Sequence, residues 1–587
     1  MKKAAQSKRS TQKNQTQAQR VQTQANAKAK TGKRAWEILK NPLALADGEY
    51  GIAFRLLQIE GVQLSFKPLD HQTEGYDCLS FKTVFSSSGD LLQIREFDPA
   101  LGLMVTFRFP LGKTYSLPLP LPQHPEVCLS VESGETLVIK DLKSTSPVII
   151  HSDKPLKLQN FQISGGTGLY RMEKSLFCRT AKLKLEGEFI LKYGLDLEVD
   201  HVEDSDQVLI ESNLIYLEVT QFTHLKGYWR SRGSSVMIFH GGFDFEPDRL
   251  VAQNRITFRL DDGLHWKTPL HQIGHLSIKM DKPSKIPLII DADLSSGEQH
   301  RLSISASDIQ FGTENGAYHS WRAGKDLNVQ AERISCPQGR FIGVGSLTLK
   351  SKKLDLGNDF DVSVPNKPSA ACLTNGKLTL DAPEIVGKRT VLKCHELNTS
   401  FQQFTHIGGE IHVRGDATLG PGIFTHRIDY KLSQGYDRAN SFDFLFSFLH
   451  NLNQKPTAEN LSVLGDPPFM QVQGRLNNTG TMEIQGGSVY YGSFTGNIPN
   501  CKSVIPVTYE RHWRVVGYSY TSHWFQPDTK HEHFGYVYNT NFKPPVEAVF
   551  SSGSKMEFQQ VGNINFSGIM SAPTVHDKNH LNPLQAA

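Results

Sequence analysis

The sequence predicts an all-β solenoid, and three observations carry that expectation. Four short phrases, Asp326-Leu-Asn-Val-Gln330, Ser346-Leu-Thr-Leu-Lys350, Lys377-Leu-Thr-Leu-Asp381 and Glu410-Ile-His-Val-Arg414, recur in the second half of the chain. Each follows a glycine (Gly324, Gly345, Gly376, Gly409) directly or one residue on. Within each, two apolar residues alternate with polar ones, the period of a strand with one face buried and the other wet. The leading apolar residues Leu327, Leu347, Leu378 and Ile411 are 20, 31 and 33 residues apart. A glycine-opened strand recurring at that interval suits the coil of a solenoid better than a series of hairpins.

The composition agrees. Of 587 residues, 38% are hydrophobic and 21% charged, with 48 glycines and 29 prolines supplying turns for many short strands. A solenoid reaches this length as one body because its core grows along a single axis. No apolar run of about 18 residues exists to span a bilayer as a helix. Seven scattered cysteines without a CxxC pair indicate buried thiols, neither a disulfide framework nor a zinc site.

The net charge of +4 is uneven. Residues 1–36 hold ten Lys and Arg and no acid, which leaves 53 basic against 59 acidic residues in the remainder. Residues 1–35, rich in Lys, Gln, Ala and Thr, cannot bury a core and are expected to be a disordered tail. No aromatic residue is interleaved there for base stacking, so a nucleic-acid partner is not expected. No apolar stretch of secretory-signal type follows the basic start.

Trp36 to Leu45 reads as one or two helical turns broken at Pro42. Residues 36–130 as a whole read as an irregular β cap, which an open coil needs to shield its first edge. Residues 131–435 form the main solenoid, with phrases such as Leu195-Asp-Leu-Glu-Val199 and Ile215-Tyr-Leu-Glu-Val219. In residues 436–470 the Phe-rich run Ser441 to Leu452 and the prolines 456, 467 and 468 mark an insertion or break. Residues 471–580 resume the coil, and 581–587 form a tail.

In the resumed coil, Leu476, Asn477, Asn478, Gly480, Thr481 and Ile484 form a phrase that resembles the repeats of filamentous haemagglutinin-like exoproteins, the secreted partners of two-partner secretion. Leu378-Thr-Leu380 with Asp381-Ala-Pro383, and Gly562 to Ala572, look similar. The resemblance implies a right-handed parallel β-helix, secreted or displayed at the cell surface through an outer-membrane transporter. It also implies adhesion or toxin delivery, with a host or neighbouring-cell surface protein or carbohydrate as partner.

Residues 507–542 hold the densest aromatic content, with Gln526-Pro-Asp-Thr-Lys530 at the midpoint. They read as two strands and a turn, a hairpin extruded from the solenoid. Trp513, Tyr518, Tyr520, Trp524, Tyr536 and Tyr538 are its candidate contact residues, since Tyr and Trp suit carbohydrate or protein surfaces. Two other functions stay open, a β-helix polysaccharide lyase or hydrolase and an intracellular β-solenoid scaffold. Six acids between Asp196 and Asp206 could hold Ca²⁺, but Leu195, Leu197 and Val199 define the buried face, so alternation puts the acids on the wet one. His531 and His533 could share a metal but lack a further ligand set. No catalytic residue, metal or cofactor is assigned.

Overall fold

The structure is a computed structural model. It describes residues 35–38, 51–57, 63–68, 82–85, 91–95, 103–109, 127–133 and 136–577, except 145–146, 166–173, 314–316, 360–368, 435–458, 524–525, 559–566 and 573. The basic tail up to residue 34, the Phe-rich run from Ser441 and the tail 581–587 lie outside the described residues. Every described element is a strand, and the architecture is a parallel β-helix. Two compact units divide the chain, Met1–Ser307 and Asp308–Ala587.

The N-terminal unit opens with antiparallel pairing. Ala35–Ile38, Gly51–Leu57, Leu91–Arg95 and Lys82–Phe85 make a four-stranded antiparallel sheet. The expected helical turns from Trp36 therefore begin as a strand, because Trp36 and Glu37 pair with Leu56 and Arg55 in the next strand. Gln63–Pro68 pairs antiparallel with Leu103–Phe109, whose other edge pairs parallel with Val127–Ser133. Parallel stacking thus begins at Leu103, ahead of residue 131.

Once stacking is regular, the coil repeats with little drift. Leu195, Ile215, Ser235, Ile256, Leu276 and Leu302 stand in register on successive strands. Two residues on, Leu197, Leu217, Met237, Phe258, Ile278 and Ile304 do the same. All six of the latter are buried. One inward residue per strand and coil therefore builds a continuous apolar column, and each buried side chain contributes roughly 1.5–3 kcal/mol.

The C-terminal unit has three ladders, one per side of its coil. Ladder A stacks Asp326–Gln330, Ser346–Lys350, Lys377–Asp381, Glu396–Ser400 and Ala417–Leu419. Ladder B stacks Ser320–Ala323, Gly339–Gly343, Ala370–Thr374, Val391–Cys394 and Glu410–Val413. Ladder C stacks Asp308–Phe311, Arg333–Cys336, Lys353–Gly357, Glu384–Lys388, Gln403–Ile407, Ile423–Arg427, Thr481–Gln485 and Asn500–Lys502.

Three of the four glycine-led phrases are therefore consecutive rungs of ladder A. The fourth, at Glu410, belongs to ladder B, and the rung above Leu378 is Leu397. The alternation of Ile411 and Val413 is the same on every side of the coil, so it cannot distinguish one ladder from another. Glycine precedes the phrases because the corners stack closely: a Cβ on Gly376 would strike the carbonyl oxygen of Gly345 one coil below.

The corner between ladders C and B is where the coil tolerates additions. Where nothing is added, it takes two residues, as between Lys388 and Val391 or Ile407 and Glu410. Its chain reversal uses left-handed backbone, with φ +84° at Gly357, +59° at Gly486 and +53° at Arg389, a conformation that glycine adopts most easily. The chain between Gly357 and Ala370, the segment after Arg427 and the aromatic segment after Lys502 all leave at this corner. Asp429–Gln434 pairs antiparallel with Glu459–Leu464, and Leu461 stands opposite Val507 of the aromatic segment. The two later additions thus join in one four-stranded antiparallel sheet outside the coil.

The haemagglutinin-like phrase sits at another corner, between ladders A and C. Leu476 stacks on Ala417 in ladder A, and Thr481–Gln485 is the next strand of ladder C. Between them Asn478 is fully buried and its Nδ2 donates to the Gly480 carbonyl at 3.0 Å. An inward asparagine that satisfies the turn's own backbone is a direct use of its short amide.

Candidate functional site

The aromatic segment forms two antiparallel strands of 17 residues each, Val507–His523 and Gln526–Phe542, where the rungs of ladders A, B and C given above have three to five. At about 3.3 Å per residue, 17 residues reach roughly 55 Å. Register runs from Val507 opposite Phe542 to His523 opposite Gln526. Gln526-Pro-Asp-Thr-Lys530, expected as the turn, therefore belongs to the second strand. Pairing counted inward from Val507–Phe542 outweighs the local turn preference of Pro-Asp.

Each strand carries alternate residues to opposite faces of this arm. One face has Tyr518 and Tyr520, opposite Glu532 and Lys530. The Lys530 Nζ lies 3.6 Å from the Tyr518 ring centroid, a cation–π contact, and 3.6 Å from Glu532 Oε1. The other face has Ser519 and Thr521, with His531 Nε2 2.9 Å from Thr521 Oγ1 and His533 Nε2 2.7 Å from Ser519 Oγ. The two histidines are thus engaged by cross-strand hydroxyls. Tyr518 and Tyr520 are 52% and 64% exposed, and the hydroxyl and histidine face is exposed as well. Both faces of the arm between residues 518 and 533 are open wherever side chains are described.

Of the six candidate contact residues, the structure places Tyr518 and Tyr520 side by side on the open face. Trp513 stands opposite Tyr536 and Arg511 opposite Tyr538 in the backbone register. The side chains of Trp513, Tyr536 and Tyr538, and all of Trp524, lie outside the described residues.

The N-terminal unit carries a polar surface that the sequence did not single out. A cleft of about 440 Å³ is lined by His151, Arg179, Glu198, Asp200 and Glu218, among others. Beside it a chain of hydrogen bonds spans four coils. Tyr216 donates to Glu218 at 2.7 Å, His240 bridges Glu218 and Asp261 at 3.0 Å each, and Lys282 donates to Asp261 at 3.2 Å. Asp261 and then Glu218 raise the pKa of His240, and His240 lowers that of both carboxylates. The bridge therefore favours the protonated form of His240 between two carboxylates and ties coils together.

The acids around Asp196 do not all sit on a wet face. Asp196 points outward yet is 1% exposed. Phe177 and Tyr216, its register neighbours on the two flanking strands, stand beside it, and the Lys174 ammonium pairs with its Oδ2. Asp204 is likewise committed, accepting from the backbone N–H groups of Lys226 and Gly227 and from Trp229 Nε1, each at 2.8 Å. Among the described residues no group of three or more His, Cys, Asp or Glu is placed to hold a metal ion. Nor is any helix there long and apolar enough to cross a membrane.

Cys178, Cys336, Cys372, Cys394 and Cys501 are free thiols buried in the core, and burial raises their pKa, to about 12 for Cys394 and Cys501. Thiols so protonated are poor nucleophiles and metal ligands. No protein-family model, curated protein or solved structure matches the chain.

Proposed function

We propose that this protein is a non-enzymatic presentation protein, a β-helical stalk of haemagglutinin-like type whose contact element is the arm at residues 507–542. The observation that carries this reading is the arm itself. A two-stranded ribbon gains little stability alone in water, yet this one keeps both faces of its outer part open and sets Tyr518 and Tyr520 side by side there. Large amphipathic rings held at low conformational cost suit a protein or carbohydrate surface. Secretion or surface display through an outer-membrane transporter, for adhesion or toxin delivery, belongs to the same proposal.

Glu510 and Asn539 stand opposite each other near the base of the arm, so Asn-Gly can replace residues 511–538 there as a two-residue hairpin turn. The shortened chain should keep the strand circular dichroism of the parent and lose its binding to intact target cells. Equal cell binding by both chains would overturn the reading. A second reading, a polysaccharide lyase or hydrolase, draws on the cleft lined by Arg179, Glu198, Asp200 and Glu218. Release of reducing ends from a polysaccharide panel, abolished by Glu198→Gln, would favour it over the first.

A further inference from the structure

A second surface, independent of the arm, lies on the outer side of ladder B in the C-terminal unit. Lys393, His412, Gln471 and Tyr490 point outward from four successive strands in direct register. Two residues beyond the first three of these, His395, Arg414 and Gln473 follow at the corner, with Asn375 one coil earlier. All of these but Tyr490 line, with neighbouring residues, a cleft of about 460 Å³. Phe469 and Tyr490, their centroids 5.7 Å apart, form an aromatic shelf at one end. The His412 ring lies 5.5 Å from Phe469.

We propose that this strip binds an acidic polysaccharide, a linear sugar polymer carrying carboxylates, laid along the stacking direction of the coils. Three features of the strip select that occupant. Its shape comes first: rungs about 4.8 Å apart over five strands make a track roughly 19 Å long, which suits an extended polymer. Its charge is sparse. Lys393 and Arg414 are fixed cations, and Glu410 sits 3.8 Å from Lys393 and 3.0 Å from His412 Nε2. That is too little positive charge for a backbone with a phosphate at every unit, but enough for carboxylates at intervals, with charge-assisted hydrogen bonds to each. The remaining groups, Asn375, Gln471 and Gln473, offer both donors and acceptors, as hydroxyl-rich sugars require, and the Phe469–Tyr490 shelf offers an apolar platform for a ring face.

The test uses the full chain titrated with hyaluronate, which carries a carboxylate on every second sugar, neutral dextran and poly(dT). Lys393 and Arg414 are exposed, so Lys393→Gln/Arg414→Gln leaves the core untouched. The parent should bind hyaluronate and not dextran. The double variant should bind it at least tenfold more weakly, and added salt should weaken the parent's binding. The chain lacking residues 511–538 should bind as the parent does, which separates this site from the arm. Absence of hyaluronate binding, tighter binding of poly(dT), or unchanged affinity in the double variant would each overturn the proposal.

Discussion

His406 and His426 stand opposite each other on adjacent rungs of ladder C, fully buried, with their Nδ1 atoms 3.1 Å apart and their rings 8° from parallel. The contact needs a hydrogen on one nitrogen and a lone pair on the other, so both rings cannot be protonated together. Burial lowers the pKa of both, that of His406 to about 4, and His406 further lowers that of His426.

This pair should make the C-terminal unit acid-labile above the carboxylate range. The folded state keeps the rings neutral, while the unfolded chain takes up protons below about pH 6.5. The stability tied to neutral rings is therefore complete above pH 6.5 and lost as pH falls toward 4. For His406 alone the loss by pH 4 is about 3 kcal/mol. Denaturant midpoints measured between pH 7 and 4.5 should fall in the parent and fall less in His426→Phe. A flat profile in the parent would rule the pair out as the cause.

The opposite sign is expected at His240. Hydrogen bonds to Asp261 and Glu218 raise its folded pKa, so their stabilisation is present below the unfolded pKa near 6.5 and lost as pH rises through the folded value. Ring-proton NMR shifts should titrate His240 above 6.5, and Asp261→Asn should bring the midpoint down. A midpoint at or below 6.5 in the parent would refute the bridged geometry.

How much of this was legible in the sequence depends on how far apart the deciding residues are. Alternation within five residues shows that Leu378 and Leu380 face inward, since strand geometry is local. Which ladder a phrase joins is decided by corners elsewhere in the coil, and so alternation alone groups the Glu410 phrase of ladder B with three phrases of ladder A. Whether an outward residue is wet is decided by rungs a coil away. Asp196 is covered by Phe177 and Tyr216, nineteen and twenty residues distant, which no window along the chain reveals. The arm was legible because its strands are long and aromatic, yet its turn was misplaced because pairing register overrode the Pro-Asp signal. The strip of Lys393, His412, Gln471 and Tyr490 carried no sequence signal at all, because its members become neighbours only through stacking.

The Lys174–Asp196 pair is half-buried, its carboxylate covered and its ammonium partly open to water. Burial lowers the Lys174 pKa, with Glu198 opposing that shift. Removing one partner leaves an uncompensated charge. Lys174→Met should therefore cost about 1–3 kcal/mol, whereas Lys174→Met with Asp196→Leu should be close to neutral. Urea unfolding of both variants checks this. A single variant as stable as the double would mean that Asp196 reaches water.

Ladder A offers the sharpest test of the register. Leu378 lies between Leu347 and Leu397, and all three are buried. Truncating Leu378 opens a cavity with Leu347 on one side and Leu397 on the other, so Leu378→Ala should cost about 2–5 kcal/mol, and Leu397→Ala, which opens a cavity beside Leu378, a similar amount. Because they share that cavity, the double variant should cost less than the sum. Leu378 paired instead with Ile411→Val, a residue of ladder B, should give costs closer to additive. If the Leu378/Leu397 pair proved additive and the Leu378/Ile411 pair coupled, the rung above Leu378 would be Ile411 and the ladder assignment would fail.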